Sequence, residues 1–181
     1  MYVGRLVQLG PLKREYLPQY LAWVNDPEVG RYLFPGQMRF LTSEDEEEWF
    51  DRVRKAQDQI VFAILTVEGG HLLGNCGLRN IDWKNRCASF GIFIGNKRFW
   101  GKGYGTEATR LLLRYAFEEL NLHRVELEVY DFNTRAIRAY EKAGFRREGT
   151  RRQALYREGS WHDIHLMAIL KEEWEANAMG Q

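Results

Sequence analysis

Cysteine is scarce in this chain, with only Cys76 and Cys87 among 181 residues. Two thiols are too few for a disulfide scaffold and lack metal-ligand spacing, so both are expected as reduced, partly buried small hydrophobes of a cytoplasmic protein. Proline is equally sparse at 4 residues, which argues against disorder and against a collagen-like chain. No apolar run approaches the roughly 18 residues that a membrane helix needs. The amino terminus lacks a charged stretch followed by a long apolar one, so neither a membrane span nor a signal peptide is expected. Charge of one sign is missing too. Lys and Arg number 26 against 25 Asp and Glu, a net charge of +1, so no global excess attracts nucleic acid and no acidic tail is present. There is no internal repeat, linker or low-complexity tract.

What is abundant is core material: 45% of residues are hydrophobic, including 10 Phe, 9 Tyr and 6 Trp. At roughly 150 residues per domain this length predicts one domain, taken as residues 1–175, with 176–181 as an unstructured tail. Residues 2–9 read as a strand. Residues 16–24 put Leu17, Tyr20, Leu21 and Val24 at helical spacing, stopped by Asn25-Asp26-Pro27. Ser43 and Glu46 have capping-box spacing and open a helix carrying Trp49, Phe50 and Val53 to about residue 58. Residues 60–67, 72–78 and 86–94 form a predicted meander, separated by Gly69-Gly70 and the polar stretch 80–85. A helix over 106–120 then leads to an alternating strand, Arg124–Tyr130, a strand-helix-strand unit that predicts a parallel pair. A short helix, Thr134–Ala143, stops at Gly144, and strands 145–156 and 161–170 are joined by Arg157-Glu158-Gly159-Ser160. The fold class is mixed α/β around one sheet.

The most informative segment runs Lys97-Arg-Phe-Trp-Gly-Lys-Gly-Tyr-Gly-Thr-Glu-Ala108, where three glycines alternate with other residues between a strand and a helix start. Alternating glycines leave N–H groups exposed, and the helix N-terminus adds positive potential, so the segment suits a pyrophosphate. Gly103-x-Gly105-x-x-Ala108 also fits the dinucleotide pattern, with Glu126 or Glu128 about 20 residues on. Against that reading stand the long loop before the glycines and the strand meander that precedes it. The Walker pattern is absent.

From Ser89 to Phe145, through the glycine segment and the block Asn133-Thr-Arg-Ala-Ile-Arg-Ala-Tyr-Glu-Lys-Ala-Gly-Phe145, the chain resembles the GNAT superfamily of acyl-CoA-dependent N-acetyltransferases. Trp-Gly-Lys-Gly-Tyr-Gly-Thr-Glu-Ala and the closing Gly159-Ser-Trp-His-Asp163 are similar to the branch of ribosomal-protein N-terminal, spermidine and antibiotic acetyltransferases. The resemblance implies a mostly antiparallel sheet of about seven strands with helices on both faces. It implies acetyl-CoA as co-substrate, no metal, and an amine acceptor that is a small molecule or a protein N-terminus. Homodimers are common in that branch, though nothing in the composition establishes one.

Residue by residue, the resemblance implies that Ile92, Phe93 and Ile94 splay from the next strand, pair with the pantetheine arm and leave an N–H near the thioester oxygen. Trp100, Gly101, Lys102, Gly103, Tyr104, Gly105 and Thr106 would cradle the pyrophosphate, with Arg98 and Ala136 as further cofactor contacts. Asn133 would bond the pantetheine or the attacking side, and Tyr140 would face the sulfur as general acid. Trp100 departs from the Gln or Arg of many relatives, which puts side-chain bonding to phosphate there in doubt. Each residue also has a plain structural reading: Asn133 as a helix cap, Tyr140 as core, and Arg135, Arg138 and Lys142 as a solvated helix stripe.

The general base is open. Many relatives carry Glu two residues before a Gly on the strand ahead of the loop; here Ser89 precedes Gly91. Glu126 and Glu128 share one face of the next strand and are candidates, with Asp131, His162 and His165 as weaker ones. A lysine-like amine of pKa about 10.4 costs about 4.6 kcal/mol to deprotonate at pH 7, an α-amine near 7.8 only about 1.1 kcal/mol. A weak base therefore suits an α-amine or another low-pKa acceptor. A phenol at about 10 protonating a thiolate near 8.5 is uphill by about 2 kcal/mol, so Tyr140 is expected to share its proton in a hydrogen bond. The run Glu44-Asp-Glu-Glu-Glu48 suits a polyamine acceptor, but equally a helix start. A non-catalytic acyl-CoA-binding module is the alternative from another class. Acceptor identity depends on residues 30–42, 81–85 and the final strand pair. Lys97, Arg98, Lys102, Arg135, Arg138 and Lys142 cluster in sequence around the expected phosphate site.

Overall fold

The computed structural model describes residues 1–33 and 39–179; residues 34–38 of the expected acceptor loop, and 180–181 of the expected tail, lie outside it. Strands β1 (Tyr2–Val3), β2 (Val7–Pro11), β3 (Ile60–Thr66), β4 (Leu72–Asp82), β5 (Cys87–Ile94), β6 (Arg124–Tyr130), β7 (Arg146–Arg157) and β8 (Ser160–Leu170) form one sheet in the order β1-β2-β3-β4-β5-β6-β8-β7. The sheet has 8 strands, one more than expected. The extra one arises because residues 2–9 are not continuous. The Glu107 carboxylate accepts from the N–H groups of Arg5, Leu6 and Val7 at 3.0, 2.7 and 2.7 Å, and so draws the chain out of the ladder between β1 and β2.

Every neighbouring pair is antiparallel except β5 and β6. That single parallel contact is not the parallel sheet a dinucleotide fold requires. It is also short: Cys87, Ala88 and Ser89 face Arg124, Val125 and Glu126, after which the strands diverge. β6 continues to Tyr130 on β8 alone, so Phe90 to Ile94 on one side and Leu127 to Tyr130 on the other open a V in the sheet.

Helices α1 (Leu17–Val24), α2 (Pro27–Gly30), α3 (Ser43–Lys55), α4 (Tyr104–Arg114), α5 (Thr134–Ala143) and α6 (Lys171–Met179) cover the sheet. α3 begins one residue earlier than its expected box. Thr42, not Ser43, is the cap: its hydroxyl accepts from Asp45 N–H at 3.2 Å while the Asp45 carboxylate accepts from Thr42 N–H at 2.8 Å. The expected helix over 106–120 is α4 followed by a π-helical turn, Tyr115–Glu119, closed by Leu120 N–H on the Tyr115 carbonyl. Residues 176–179, expected as tail, belong to α6, which is tied down by Trp174 packing 5.5 Å from Phe117 and by Glu173 accepting from Leu170 N–H at 3.0 Å.

The main core lies where α4 and α5 meet the sheet, joining Leu112, Ala116 and Phe117 to Ala88, Phe90, Val125, Leu127 and Val129. A second cluster of Leu17, Tyr20 and Phe50 packs with Trp23, Trp49 and Phe93 on the face covered by α1 and α3. The strand alternation therefore assigns Ser89, Gly91, Glu126, Glu128 and Tyr130 to the α1–α3 face. The V is open to both faces.

Candidate active site

A cleft of about 650 Å³ occupies the V. Of the residues expected from sequence, it is lined by Ile92, Phe93 and Ile94 of β5, by Trp100, Gly101, Gly103, Gly105 and Thr106 at the start of α4, and by Asn133, Ala136, Tyr140 and Glu128. Arg98, Lys102, Tyr104 and Glu126 do not line it. Arg98 turns to a separate 450 Å³ hollow with Trp23 and His71, and the Tyr104 ring packs edge-on against Phe99 at 5.0 Å.

The glycine loop owes its shape to backbone angles open only to glycine at low cost: φ is 71° at Gly101 and 90° at Gly103, which caps α4. The backbone N–H groups of residues 101–106 donate to no other backbone group among the described residues. A row of unpaired N–H groups at a helix N-terminus is the donor set a pyrophosphate needs, so these residues fit such a group. The surrounding cations are less available than their clustering in sequence suggests. Lys97 is bound to Asp26 and Glu28 at 2.8 and 2.7 Å, which anchors the loop to α2. Arg135 lays its guanidinium over the Trp100 ring at 3.7 Å, so it is a stacked cation and not a freely solvated one. Arg138 and Lys142 do line the cleft.

The indole N–H of Trp100 donates to the Ile94 carbonyl at 2.6 Å. The indole is thereby folded toward the end of β5, where the family resemblance expects backbone pairing with pantetheine.

Tyr140 meets both of its readings. Its ring sits in the core, edge-on to Phe90 at 5.8 Å and to Phe145 at 5.9 Å, while the residue forms part of the cleft wall. Burial pushes its phenol above the ordinary range, so it is a neutral O–H donor at neutral pH. That hydroxyl makes no hydrogen bond among the described residues. Asn133 is the cap of α5: its side-chain oxygen accepts from Ala136 N–H at 3.3 Å.

The two candidate glutamates part company. Glu126 accepts from Arg124 at 3.0 and 2.9 Å, and the same guanidinium grips Glu148 at 2.7 and 2.6 Å, away from the cleft. Glu128 lines the cleft and forms an ion pair with Arg151. The weaker candidates are engaged elsewhere. Asp131 holds His162 at 3.1 Å and the Asp163 N–H at 2.9 Å, and His165 bonds Thr150 at 2.9 Å. Tyr32, within the expected acceptor segment 30–42, lines the cleft, as does Trp49, expected only as part of the α3 apolar face; sequence reasoning passed over Arg79, which also lines it. For Arg79 the signal was its place opposite Ser89 in the β4–β5 register, which only the pairing discloses.

The model of the acetyltransferase (GNAT) domain matches residues 7–146. The uncharacterized N-acetyltransferase p20 of Bacillus licheniformis is 31% identical over 180 residues, covering 96% of this chain and 97% of that protein. The putative ribosomal N-acetyltransferase YdaF of Bacillus subtilis is 43% identical over 106 residues, 59% of this chain and 57% of that one. A solved structure of spermidine N-acetyltransferase from Vibrio cholerae, in complex with CoA and spermine, superposes with a TM-score of 0.85 at 26% identity, covering 93% of this chain and 98% of that one. With a split sheet, a glycine loop aimed into the split and a match over most of its length, the chain belongs to the GNAT family of acetyl-CoA-dependent N-acetyltransferases.

Proposed function

We propose that the acceptor is the α-amine of a polypeptide N-terminus, or an amine of comparably low pKa, and that Glu128 accepts its proton directly or through one water. The observation that carries this reading is the state of the carboxylates: Ser89 replaces the expected strand glutamate, and Glu128, the one candidate base on the cleft wall, is held by Arg151. A weak base matches an amine that costs about 1.1 kcal/mol to deprotonate at pH 7, not one that costs about 4.6 kcal/mol.

Bound acetyl-CoA supplies a thioester carbonyl that the free amine attacks. The chain's own groups do the rest. Those backbone N–H groups between Phe90 and Ile94 that point away from β4, left without a β6 partner by the splay, are donors for the carbonyl oxygen. Tyr140 offers its neutral hydroxyl to the departing sulfur, the N–H groups of residues 101–106 hold the diphosphate, and the Asn133 amide lies on the same wall. As the new C–N bond forms and the C–S bond breaks, the amine proton passes to Glu128 and the thiolate takes a share of the Tyr140 proton.

The spermidine enzyme of Vibrio cholerae suggests a polyamine acceptor, but here three of the five acidic residues at the start of α3, Glu44, Asp45 and Glu47, are engaged in folding. Asp45 closes the cap, Glu44 bonds Ser43 at 3.0 Å, and Glu47 pairs with Arg14. The free thiols of Cys76 and Cys87 support a cytoplasmic setting. The test is CoA release, with product masses, across peptide N-termini, lysine side chains, polyamines, aminoglycosides and amino sugars. Glu128→Gln is expected to lower kcat/KM for the best N-terminal acceptor about 10²-fold. A marked preference of the wild type for lysine or polyamine amines overturns the proposal.

A further inference from the structure

Arg79 stands on β4 opposite Ser89, immediately before the irregularity at Asn80, where φ is 51°. The pairing puts its side chain on the α1–α3 face, away from the glycine loop. It reaches across the neighbouring strand: a Cβ added at Gly91 would lie 3.8 Å from Nη2 and 3.9 Å from Cζ of Arg79. Those are ordinary contact distances, so the guanidinium lies directly over Gly91. The residue before it, Phe90, presents its ring to Tyr140 at 5.8 Å on the opposite face. Arg79 and Tyr140 thus flank the same point of β5, one from the acceptor face and one from the cofactor face.

Arg138 and Lys142 of α5 line the cofactor side of the cleft, and four further cations around it have partners. Arg151 pairs with Glu128, Arg157 donates to the Arg31 carbonyl at 2.6 Å, Lys97 is held by Asp26 and Glu28, and Arg135 stacks on Trp100. Arg79 lines the cleft and makes no hydrogen bond or ion pair among the described residues. Near it, Tyr130 lies within the electrostatic reach of Arg79, Arg157 and Glu128. A guanidinium in this position presents a planar fork of donors that matches a carboxylate and repels a second ammonium.

We propose that Arg79 selects the acceptor by binding a carboxylate carried one or two residues from the reacting amine, so that acidic peptide N-termini are preferred over neutral and basic ones. The inference rests on the α-amine reading above, and the experiment separates the two. Three peptides identical except for Asp, Ser or Lys at the second position are acetylated by the full chain at saturating acetyl-CoA. The wild type is expected to favour Asp over Ser by about tenfold in kcat/KM and Ser over Lys by a similar factor. Arg79→Ala brings the Asp-to-Ser ratio near one, and Arg79→Glu inverts the Asp-to-Lys preference. Thermal stabilisation by acetyl-CoA, unchanged in both variants, shows that they fold and bind the cofactor. Equal wild-type rates on the three peptides, or an Arg79→Glu variant that keeps the wild-type order, overturn the role of Arg79 and leave the α-amine reading standing. Turnover of polyamines with none of the peptides overturns both.

Discussion

Glu107 is the residue whose removal has the most calculable effect. It stands in the first turn of α4, where a carboxylate also suits the helix dipole, and accepts hydrogen bonds from Arg5, Leu6 and Val7. Gly4 makes room for it, since a Cβ there would come within 2.7 Å of the carboxylate carbon and 2.8 Å of Oε2. Hydrogen bonds to a charged acceptor are worth about 1.5–3 kcal/mol each when shielded. Two of the three are part-buried and one is exposed, so the lower end for two and little for the third gives about 3 kcal/mol. For a chain of this size each kcal/mol moves Tm by about 2–4 °C, so Glu107→Ala should lower Tm by about 6–12 °C. Glu107→Gln keeps an acceptor oxygen without the charge and should lose about half as much. Gly4→Ala alone should be destabilising, but in the Glu107→Ala background most of its penalty should vanish, because the atom it strikes is gone. Thermal unfolding followed by circular dichroism reads all four variants against the wild type. A Glu107→Ala shift under about 2 °C, or additive effects of the two substitutions, would refute this account of the β1–β2 break.

Two functional variants follow from the cleft. Tyr140→Phe keeps the ring contacts with Phe90 and Phe145 and removes a hydroxyl that bonds nothing among the described residues, so Tm should hold. Its kcat should fall about 10²-fold in steady-state assays with little change in acetyl-CoA KM; unchanged turnover removes Tyr140 from the mechanism. Gly103→Ala forces a side chain onto a φ of 90°, at about 1–2 kcal/mol, and disturbs the N–H array at the head of α4. Acetyl-CoA affinity by calorimetry should weaken about tenfold, and an unaltered affinity would show that the cradle does not depend on that conformation.

Local signals were legible where a segment has a start, a period and a stop of its own. β6 and α5 occupy the expected residues, Arg124–Tyr130 and Thr134–Ala143, because one alternates strictly and the other runs from an Asn cap to a glycine at φ 105°. The α3 start slipped by one residue since Thr42/Asp45 and Ser43/Glu46 offer the same chemistry, and only the extended backbone at Thr42 chooses between them. β4 runs past its expected end because Asn80 adopts φ 51° and lets Asp82 pair again with Cys87. α6 was missed because its ties are one tryptophan on Phe117 and the polar contacts of Glu173 with Leu170 N–H and Arg146, which leave no periodic apolar trace.

The sequence by itself determined the glycine loop and the helices that flank it, since a left-handed φ and a capped helix depend on residues within a few positions of one another. It also carried the family. Only the tertiary structure decided which of two equally spaced glutamates reaches the cleft, that Lys97 is neutralised by α2 while Arg79 has no ion-pair partner among the described residues, and that Trp100 bonds the end of β5. Each of those outcomes depends on which strands pair, in what register and where β5 and β6 part. Those contacts join residues distant in the chain, and no local pattern records them.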